Sequence, residues 1–362
     1  MKLVDADRPP PPAPVQRAAT RPAPVELRVV LAVTAAVLAA TAVVVGAAVL
    51  GGAAQPSLVA DPGPVTRWGV LLVRTAHDVA AMGTIGVLAL AVLLLPASGG
   101  TLLPDAARLV RLASRWATAW CAAALLGVVL TLSEAVGRPV QDVLTADLLA
   151  VGLQLPQTRA LVSTLWLAAL VAVWARWTRS PAGGWLVLLT AVAALLPPLV
   201  TGHAAHQEEH TTAVVGLAVH VGTASLWAGG LVALALHLRR APVALAVALP
   251  RYSRMALACF VAVGLSGAVT GWTAFAETSQ LWTTPYGQLV LGKIIALTAL
   301  GAMGHLHRRR TLRAVAAGRP RAFLALAVAE LVLMASAAGL AVGLSHTPPP
   351  PQPDHGTVAL SA

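Results

Sequence analysis

The stretch Thr212 to Leu236, TAVVGLAVHVGTASLWAGGLVALAL, contains no Asp, Glu, Lys or Arg. A helix needs about 20 apolar residues to cross the hydrocarbon core of a bilayer, so this stretch is long enough to span a membrane. The whole chain has the same character, because 57% of its residues are hydrophobic and 11% are charged. Soluble domains carry about 25% charged residues. We therefore expect an all-α fold, a polytopic transmembrane helix bundle.

Similar apolar runs recur along the chain and predict about nine membrane spans. Their bounds are 28–50, 68–95, 107–133, 160–176, 184–202, 212–236, 253–275, 286–306 and 322–345. Segment 138–156 has apolar residues at helical spacing and is expected to lie on the outer surface as an amphipathic helix. The Pro-rich segments 1–27 and 347–362 are expected to be disordered tails that flank a transmembrane domain, 28–346.

The distribution of basic residues predicts the orientation. With a cytoplasmic N-terminus, 20 of the 25 Lys and Arg residues lie on or beside cytoplasmic segments. The outer loops then hold only Arg67, Arg138 and Arg159. This asymmetry is the positive-inside pattern of proteins in the plasma membrane. An odd number of spans places the C-terminus outside.

The sequence contains no Walker loop, no GxSxG and no HExxH pattern. We therefore expect neither an ATP-driven pump nor an enzyme. The two cysteines, Cys121 and Cys259, both lie inside apolar runs and form no CxxC motif. Any chemistry must depend on side chains in the spans and short loops.

Charged or titratable residues inside predicted spans are few. A charge at the bilayer centre costs roughly 2.5–3.5 kcal/mol on insertion scales, so such residues are functional candidates. They are Arg74, His77, Asp78, His220, Lys293 and Glu330.

Several of these residues also have a purely structural interpretation. Arg74 and Asp78 are spaced i,i+4 and can neutralise each other on one helix face. Lys293 can pair with Glu330 or with Asp78. It can equally serve in proton coupling, because a buried ammonium can lose its proton whereas a guanidinium cannot.

Histidines concentrate before and within the sixth span. His203, His206 and His210 stand at i, i+3 and i+7 in an outer loop, and His220 follows inside the span. Imidazole and carboxylate ligands suit borderline divalent metals such as Cu(II) and Zn(II). The pattern favours a metal entry site, although a polar loop that tolerates histidines is the alternative.

Counting about 1.5 Å of rise per residue places His77 and His220 at similar depths, roughly 12–13 Å from the outer end of their spans. The two imidazoles are therefore expected to face each other. Pro197 and Pro198 lie just before the loop and remove two backbone donors, which leaves carbonyls near Ala193 and Ala194 without helical partners. Such carbonyls need protein or water partners within a bilayer.

Several ordered motifs resemble one family. The run GHAAHQ…HTTAVVGLAVHVGTASLWAGG, followed by RYSRMALACF, TPYGQLVLGK, a Glu-bearing last helix and LSHTPPP, is similar to the copper resistance protein D (CopD) family. RTAHDVAAMGTIGVL in the second span also fits, so the resemblance covers about residues 68–350. By motif position it singles out His203, His220, Trp227, Lys293 and Glu330.

The resemblance implies copper movement across the bacterial cytoplasmic membrane, or copper tolerance, often with a small periplasmic copper-binding partner of the CopC type. Any such partner is expected to be a separate protein here. The leading hypothesis is a permease in which copper binds at His203, His206 and His210 and passes His220 and His77. Arg74, Asp78, Trp227, Lys293 and Glu330 would then line the path or compensate charge.

Two other hypotheses remain open at this stage. His77 and His220 on separate helices could be the axial ligands of a b-type haem, which makes haem the second candidate cofactor after copper. The chain could instead be a copper-delivery scaffold for oxidase assembly, which would bind the metal without transporting it.

Overall fold

A computed structural model describes residues 61–201, 210–238, 241–275, 277–316 and 321–347, together with the isolated positions 34 and 350. Apart from position 34, the first predicted span, 28–50, lies outside the described residues, as do the predicted tail 1–27 and nearly all of the predicted tail 347–362. Within the described part, the chain is α-helical apart from a two-stranded hairpin and connecting turns.

The N-terminal half contains seven helices and the hairpin. Their bounds are α1 Pro64–Ala89, continued by a π-helical turn at Leu90–Leu94; β1 Ala97–Ser98 and β2 Thr101–Leu102; α2 Pro104–Val136; α3 Val140–Val143; α4 Ala146–Gly152; α5 Pro156–Trp177; α6 Pro181–Ala193; and α7 Leu196–Val200. The C-terminal half contains α8 His210–His237, α9 Pro242–Ala274, α10 Gln280–Thr283, α11 Pro285–Ala316 and α12 Arg321–His346.

Seven helical segments of the described chain are long and apolar enough to cross a membrane. They are Pro64–Leu94, Pro104–Val136, Pro156–Trp177, Pro181–Val200, Val214–His237, Pro242–Val269 and Pro285–Leu306. The last helix, α12, contains a shorter apolar stretch, Leu326–Ala341. The predicted all-α polytopic bundle is therefore confirmed, while the number of nine spans stays a prediction.

Proline and small polar residues set the ends of many helices. Proline occupies the first turn of α1, α2, α5, α6 and α9, where its missing N–H removes no helical hydrogen bond. Ser180 caps α6 by accepting a bond from the Gly183 N–H at 3.1 Å. Gly137 ends α2 with φ +67°, a left-handed conformation that favours glycine.

The seventh predicted span begins earlier than its sequence suggests. It was expected to start at residue 253, but α9 begins at Pro242 and continues through Pro250. The basic residue Arg251 lies inside this helix, and its guanidinium donates to the carbonyl of Leu94 at the end of α1, at 3.2 Å. The charged group that was predicted to lie in a loop is therefore hydrogen-bonded to the backbone of another helix.

Segment 138–156 is not one amphipathic helix as expected. It forms α3 and α4, which are separated at Leu144 and Thr145. The Thr145 hydroxyl begins a new helix because it accepts a bond from the Leu148 N–H, at 3.5 Å. Side-chain capping thus divides the segment.

The predicted break before Pro197 is present. Helix α6 ends at Ala193, and α7 begins again at Leu196. The carbonyl of Ala194 accepts a bond from the buried Thr164 hydroxyl of α5, at 3.1 Å. A neighbouring helix thus supplies the partner that the two prolines cannot.

The two halves of the bundle meet where α1 crosses α8. Gly86 and Gly229 face each other at this crossing, and a Cβ built on Gly229 would lie 3.1 Å from the Cα of Gly86 and overlap the carbonyl oxygen of Met82. Glycine at both positions lets the two backbones touch. We refer to this contact as the α1–α8 crossing.

Candidate functional site

The outer histidines lie almost entirely outside the described residues. His203 and His206 belong to the undescribed segment 202–209, and His210 is the first residue of α8. The proposed metal entry site formed by these three residues therefore stays a prediction.

The α1–α8 crossing fixes the positions of the two partly buried histidines, His77 and His220. His77 and His220 each lie nine residues from the crossing glycine of their own helix, or about 13.5 Å. Nine residues at 3.6 per turn amount to two and a half turns, so both side chains lie on the helix face opposite the crossing. The histidines share one level but point away from each other, contrary to the expected facing pair.

His77 packs against the N-terminal half of the bundle. Its ring meets Trp120 of α2 edge-on, with ring centroids 5.6 Å apart, and its Nδ1 lies 3.2 Å from Oδ1 of Asp78. Arg74 and Asp78 are both exposed, and the ion pairs found among the described residues do not include the Arg74–Asp78 pair that their spacing allows. His77 therefore contacts α2 and has a carboxylate beside it.

His220 belongs to a different group on the C-terminal side. The Ser266 hydroxyl of α9 donates to the Val263 carbonyl at 3.1 Å and lies 3.1 Å from Nδ1 of His220. The Ser266 hydroxyl therefore helps to hold the orientation of the imidazole ring. Lys293 of α11 interacts electrostatically with this imidazole.

The separation of the two histidines bears directly on the haem hypothesis. Axial ligands must approach one iron from opposite faces of a single macrocycle. His77 contacts α2 and His220 contacts α9, so this arrangement provides no common space for a haem between them. The bis-histidine haem site is therefore not supported by the geometry.

Trp227 and Glu330 come together below His220. The indole N–H of Trp227 donates to Oε1 of Glu330 on α12, at 3.2 Å. The Tyr252 hydroxyl of α9 donates to the backbone carbonyl of Trp227 at 3.1 Å, and Phe260 packs edge-on against the indole. Glu330 is 3% exposed, so this carboxylate lies inside the bundle.

A partly open cavity of about 230 Å³ lies beside this carboxylate, between α8, α9, α11 and α12. We call it the inner chamber. Its walls are Trp227, Leu249, Tyr252, Ser253, Ala256, Leu257, Phe260, Leu300, Gly301, Gly304, His305, Arg308 and Glu330.

Lys293 and Glu330 are kept apart. A Cβ built on Gly292 would meet the Leu340 side chain at 3.4 Å, which places Lys293 near the level of Leu340 on α12. Glu330 lies ten residues from Leu340, or about 15 Å along the helix. Lys293 therefore belongs to the level of His220, and Glu330 belongs to the inner chamber.

Sequence reasoning missed the partners of these residues. It did not select Ser266, Tyr252, Ser253, His305 or Arg308, since hydroxyls and residues near span ends are common in membrane helices. The sequence does contain a signal that predicts the positions of His305 and Arg308. In an antiparallel α11–α12 hairpin, counting back from the turn brings residues 305–308 to the level of Glu330.

The fold and its buried polar groups define a polytopic membrane protein with intramembrane sites. The copper resistance protein D model matches residues 246–344, and the copper resistance protein D-like N-terminal domain model matches residues 65–213. The chain therefore belongs to the copper resistance protein D family, as its motifs suggested.

A curated relative agrees with this family. Copper transport protein CutJ of Bacillus subtilis (strain 168) is 32% identical over 174 residues, which amount to 46% of this chain and 32% of the relative. The chain thus aligns with about a third of that relative's length. No solved structure matches significantly. Together with the seven membrane-capable helices, the family indicates a multi-pass protein of the bacterial cell membrane.

The N-terminal match ends at residue 213, near the start of α8, and the C-terminal match begins at residue 246, within α9. His77 lies in the N-terminal match, whereas Ser266, Lys293, His305 and Glu330 lie in the C-terminal match. His220 and Trp227 lie between the two matched regions. Among the described residues, no group of three or more His, Cys, Asp or Glu residues is arranged to hold a metal ion.

Proposed function

We propose that this protein is a copper permease that works without ATP hydrolysis. Copper binds outside at His203, His206 and His210 and moves inward through the C-terminal half of the bundle. It passes His220 and reaches the level of Glu330 on the cytoplasmic side. Delivery by a separate CopC-like copper-binding protein is part of this proposal.

One observation carries this proposal. In an apolar bundle of this family, polar side chains of α8, α9, α11 and α12 occupy two levels of one helix group. His220 with Ser266 forms the outer level, and Glu330 with the inner chamber forms the second. His220 and Trp227 are seven residues apart, about 10.5 Å, so they lie on nearly the same face of α8.

The chemistry of the outer level fits a transported metal ion. The hydrogen bond between Nδ1 of His220 and the Ser266 hydroxyl holds the orientation of the imidazole ring. A single imidazole binds copper reversibly, whereas a closed set of four ligands would retain it. Transport requires that the ion can leave each level.

His77 plays a different part in this proposal from the one first expected. Its ring contacts Trp120 and its Nδ1 contacts Asp78, on the side of α1 that faces α2. We assign the copper route to His220 and treat His77, Arg74 and Asp78 as features of the N-terminal half that do not line it.

The test is copper uptake into cells that express the His203→Ala/His220→Ala double variant. We expect uptake to fall to the level of cells without the protein, because the variant loses a ligand at both the entry and the outer level. His77→Ala is the matched control and should retain most of the uptake. Uptake by the double variant equal to that of the parent would refute the route.

A further inference from the structure

The inner chamber has a wall composition that the copper route alone does not explain. Three side chains carry charge or titratable nitrogen and oxygen: Glu330 from α12, and His305 and Arg308 from α11. Two hydroxyls, from Tyr252 and Ser253, also line it. The chamber thus combines a buried carboxylate with an imidazole and a guanidinium from the exposed end of α11.

The helix register brings these side chains to one height. Helix α11 ends at Ala316, and Arg308 and His305 lie eight and eleven residues before that end. Helix α12 begins at Arg321, and Glu330 lies nine residues after that start. These separations correspond to about 12, 16.5 and 13.5 Å. Glu330 is therefore at a height between those of His305 and Arg308.

The chamber is separated from the outer level by aromatic side chains. Trp227, which is 6% exposed, forms its roof, with Phe260 packed edge-on at a centroid distance of 6.0 Å. His220 lies about 10.5 Å further out along α8 and is not part of the chamber wall. The two levels are thus distinct sites.

We propose that the inner chamber is a release site for Cu(II), in which Glu330 and His305 ligate the ion. This inference rests on the proposed function and adds the inner ligands and the oxidation state. Carboxylate and imidazole are ligands of borderline divalent cations, and Cu(II) binds such sites more tightly than Zn(II) does. No methionine or cysteine lines the chamber among the described residues, so the soft ligands that select Cu(I) are absent from its wall.

The chamber has room for a partly hydrated ion. About 230 Å³ holds several water molecules at roughly 30 Å³ each. A carboxylate offers about four lone-pair positions, so Glu330 can accept the Trp227 N–H and also bind a cation. Water completes the coordination that two protein ligands leave open.

Arg308 makes the site weak. Its guanidinium remains charged at any physiological pH and lines the same cavity as the Glu330 carboxylate. The guanidinium therefore repels an incoming cation and lowers the affinity of the chamber for it. A low affinity suits the last site before the cytoplasm, because a tightly held ion would not be released.

The experiment isolates the chamber from the outer ligands. The full chain carrying His203→Ala, His206→Ala, His210→Ala and His220→Ala is purified and titrated with Cu(II), and binding is followed by electron paramagnetic resonance. Glu330→Gln and His305→Gln are then added singly to this background. Glu277→Gln, in an outer connection, and His237→Gln, at the end of α8, are the matched controls.

We expect one weak Cu(II) site whose affinity falls about tenfold or more with Glu330→Gln. His305→Gln should remove the nitrogen hyperfine coupling from the spectrum. Arg308→Gln should tighten the site, and both controls should leave it unchanged. Because His305 is exposed, its variant remains informative even where Glu330→Gln fails to fold.

Unchanged Cu(II) affinity and an unchanged spectrum in both chamber variants would overturn the assignment. So would Cu(I), presented with ascorbate under anaerobic conditions, binding the chamber more tightly than Cu(II). A third contrary result is unchanged Cu(II) binding in Glu330→Gln combined with copper flux that has lost its pH dependence, since Glu330 would then be a proton carrier.

Copper flux through the parent protein in proteoliposomes keeps the two proposals distinguishable. Flux that persists while the chamber variants bind Cu(II) normally refutes only the release site. Absence of flux in the parent, together with a chamber site lost in Glu330→Gln, refutes the permease and leaves the metal site.

Discussion

Replacing one Cα hydrogen of Gly229 with a methyl group, at the α1–α8 crossing, is expected to destabilise the whole bundle. In Gly229→Ala, the new Cβ would overlap the Met82 carbonyl oxygen and press on the Gly86 backbone. Backbone atoms of a packed helix cannot rotate aside as the end of a side chain can. The two helices must therefore separate along their contact.

The magnitude follows from two opposing terms. Overpacking in a closely packed core costs typically 1–3 kcal/mol, and we expect about 3 kcal/mol here because the contact is with backbone. Alanine is favoured over glycine within a helix by about 1 kcal/mol. The free energy of unfolding should therefore fall by about 2 kcal/mol in Gly229→Ala.

The assay is unfolding in mixed micelles of dodecyl maltoside and dodecyl sulfate, followed by far-ultraviolet circular dichroism. Gly267→Ala on α9 is the matched control, because a Cβ there meets no atom within 4 Å. The control should be more stable than the parent by about 1 kcal/mol, which separates the two variants by about 3 kcal/mol. Equal unfolding curves for the two variants would refute the close crossing, and with it the common level of His77 and His220.

Three further substitutions test the polar contacts within the bundle. Thr164→Val leaves the Ala194 carbonyl without its donor and should lower the free energy of unfolding by about 1–3 kcal/mol in the same micelle assay; a change within the error of the assay would show that this bond contributes nothing. Trp227→Phe keeps an aromatic ring in the roof but removes the N–H donor to Glu330, and should lower the same quantity by about 1.5–3 kcal/mol; an unfolding curve identical to that of the parent would contradict the bond. Ser266→Ala removes the hydroxyl that orients the His220 imidazole. Copper flux in proteoliposomes should then fall about tenfold while the helix content is retained. Flux at the parental rate would show that Ser266 is not part of the site.

The fold was predictable because few backbone structures are stable in the hydrocarbon core of a bilayer. Backbone groups in the hydrocarbon must be satisfied within the chain, so long uncharged runs form helices. The limits of these helices were less predictable where a tertiary contact decides them. Arg251 was predicted to lie in a loop because it is charged, yet it lies inside α9, where its guanidinium donates to the Leu94 carbonyl.

The site was predictable in depth but not in direction. The rise per residue gives the height of a side chain from sequence alone, and it placed His77 and His220 at one level. The direction of a side chain depends on how its helix is rotated, and here the α1–α8 crossing sets that rotation. The two imidazoles consequently face α2 and α9 and not each other.

The inner partners were hidden for a related reason. Glu330 was visible as a lone carboxylate in an apolar run, whereas His305 lies near the end of a span where basic residues are expected. Only the pairing of α11 with α12 brings them to the same cavity. The donor to Glu330, the Trp227 indole, was singled out by the family motif and not by its chemistry.

Copper flux into proteoliposomes of known orientation, made with the purified parent protein, tests the permease most directly. Cu(I) and Cu(II) are supplied separately from the side of the membrane at which α8 begins, with protein-free liposomes as the reference. We predict saturable entry that exceeds the reference, with Cu(II) as the preferred ion, and loss of that entry in His220→Ala. Entry equal to that of protein-free liposomes, despite metal bound to the protein, would contradict transport.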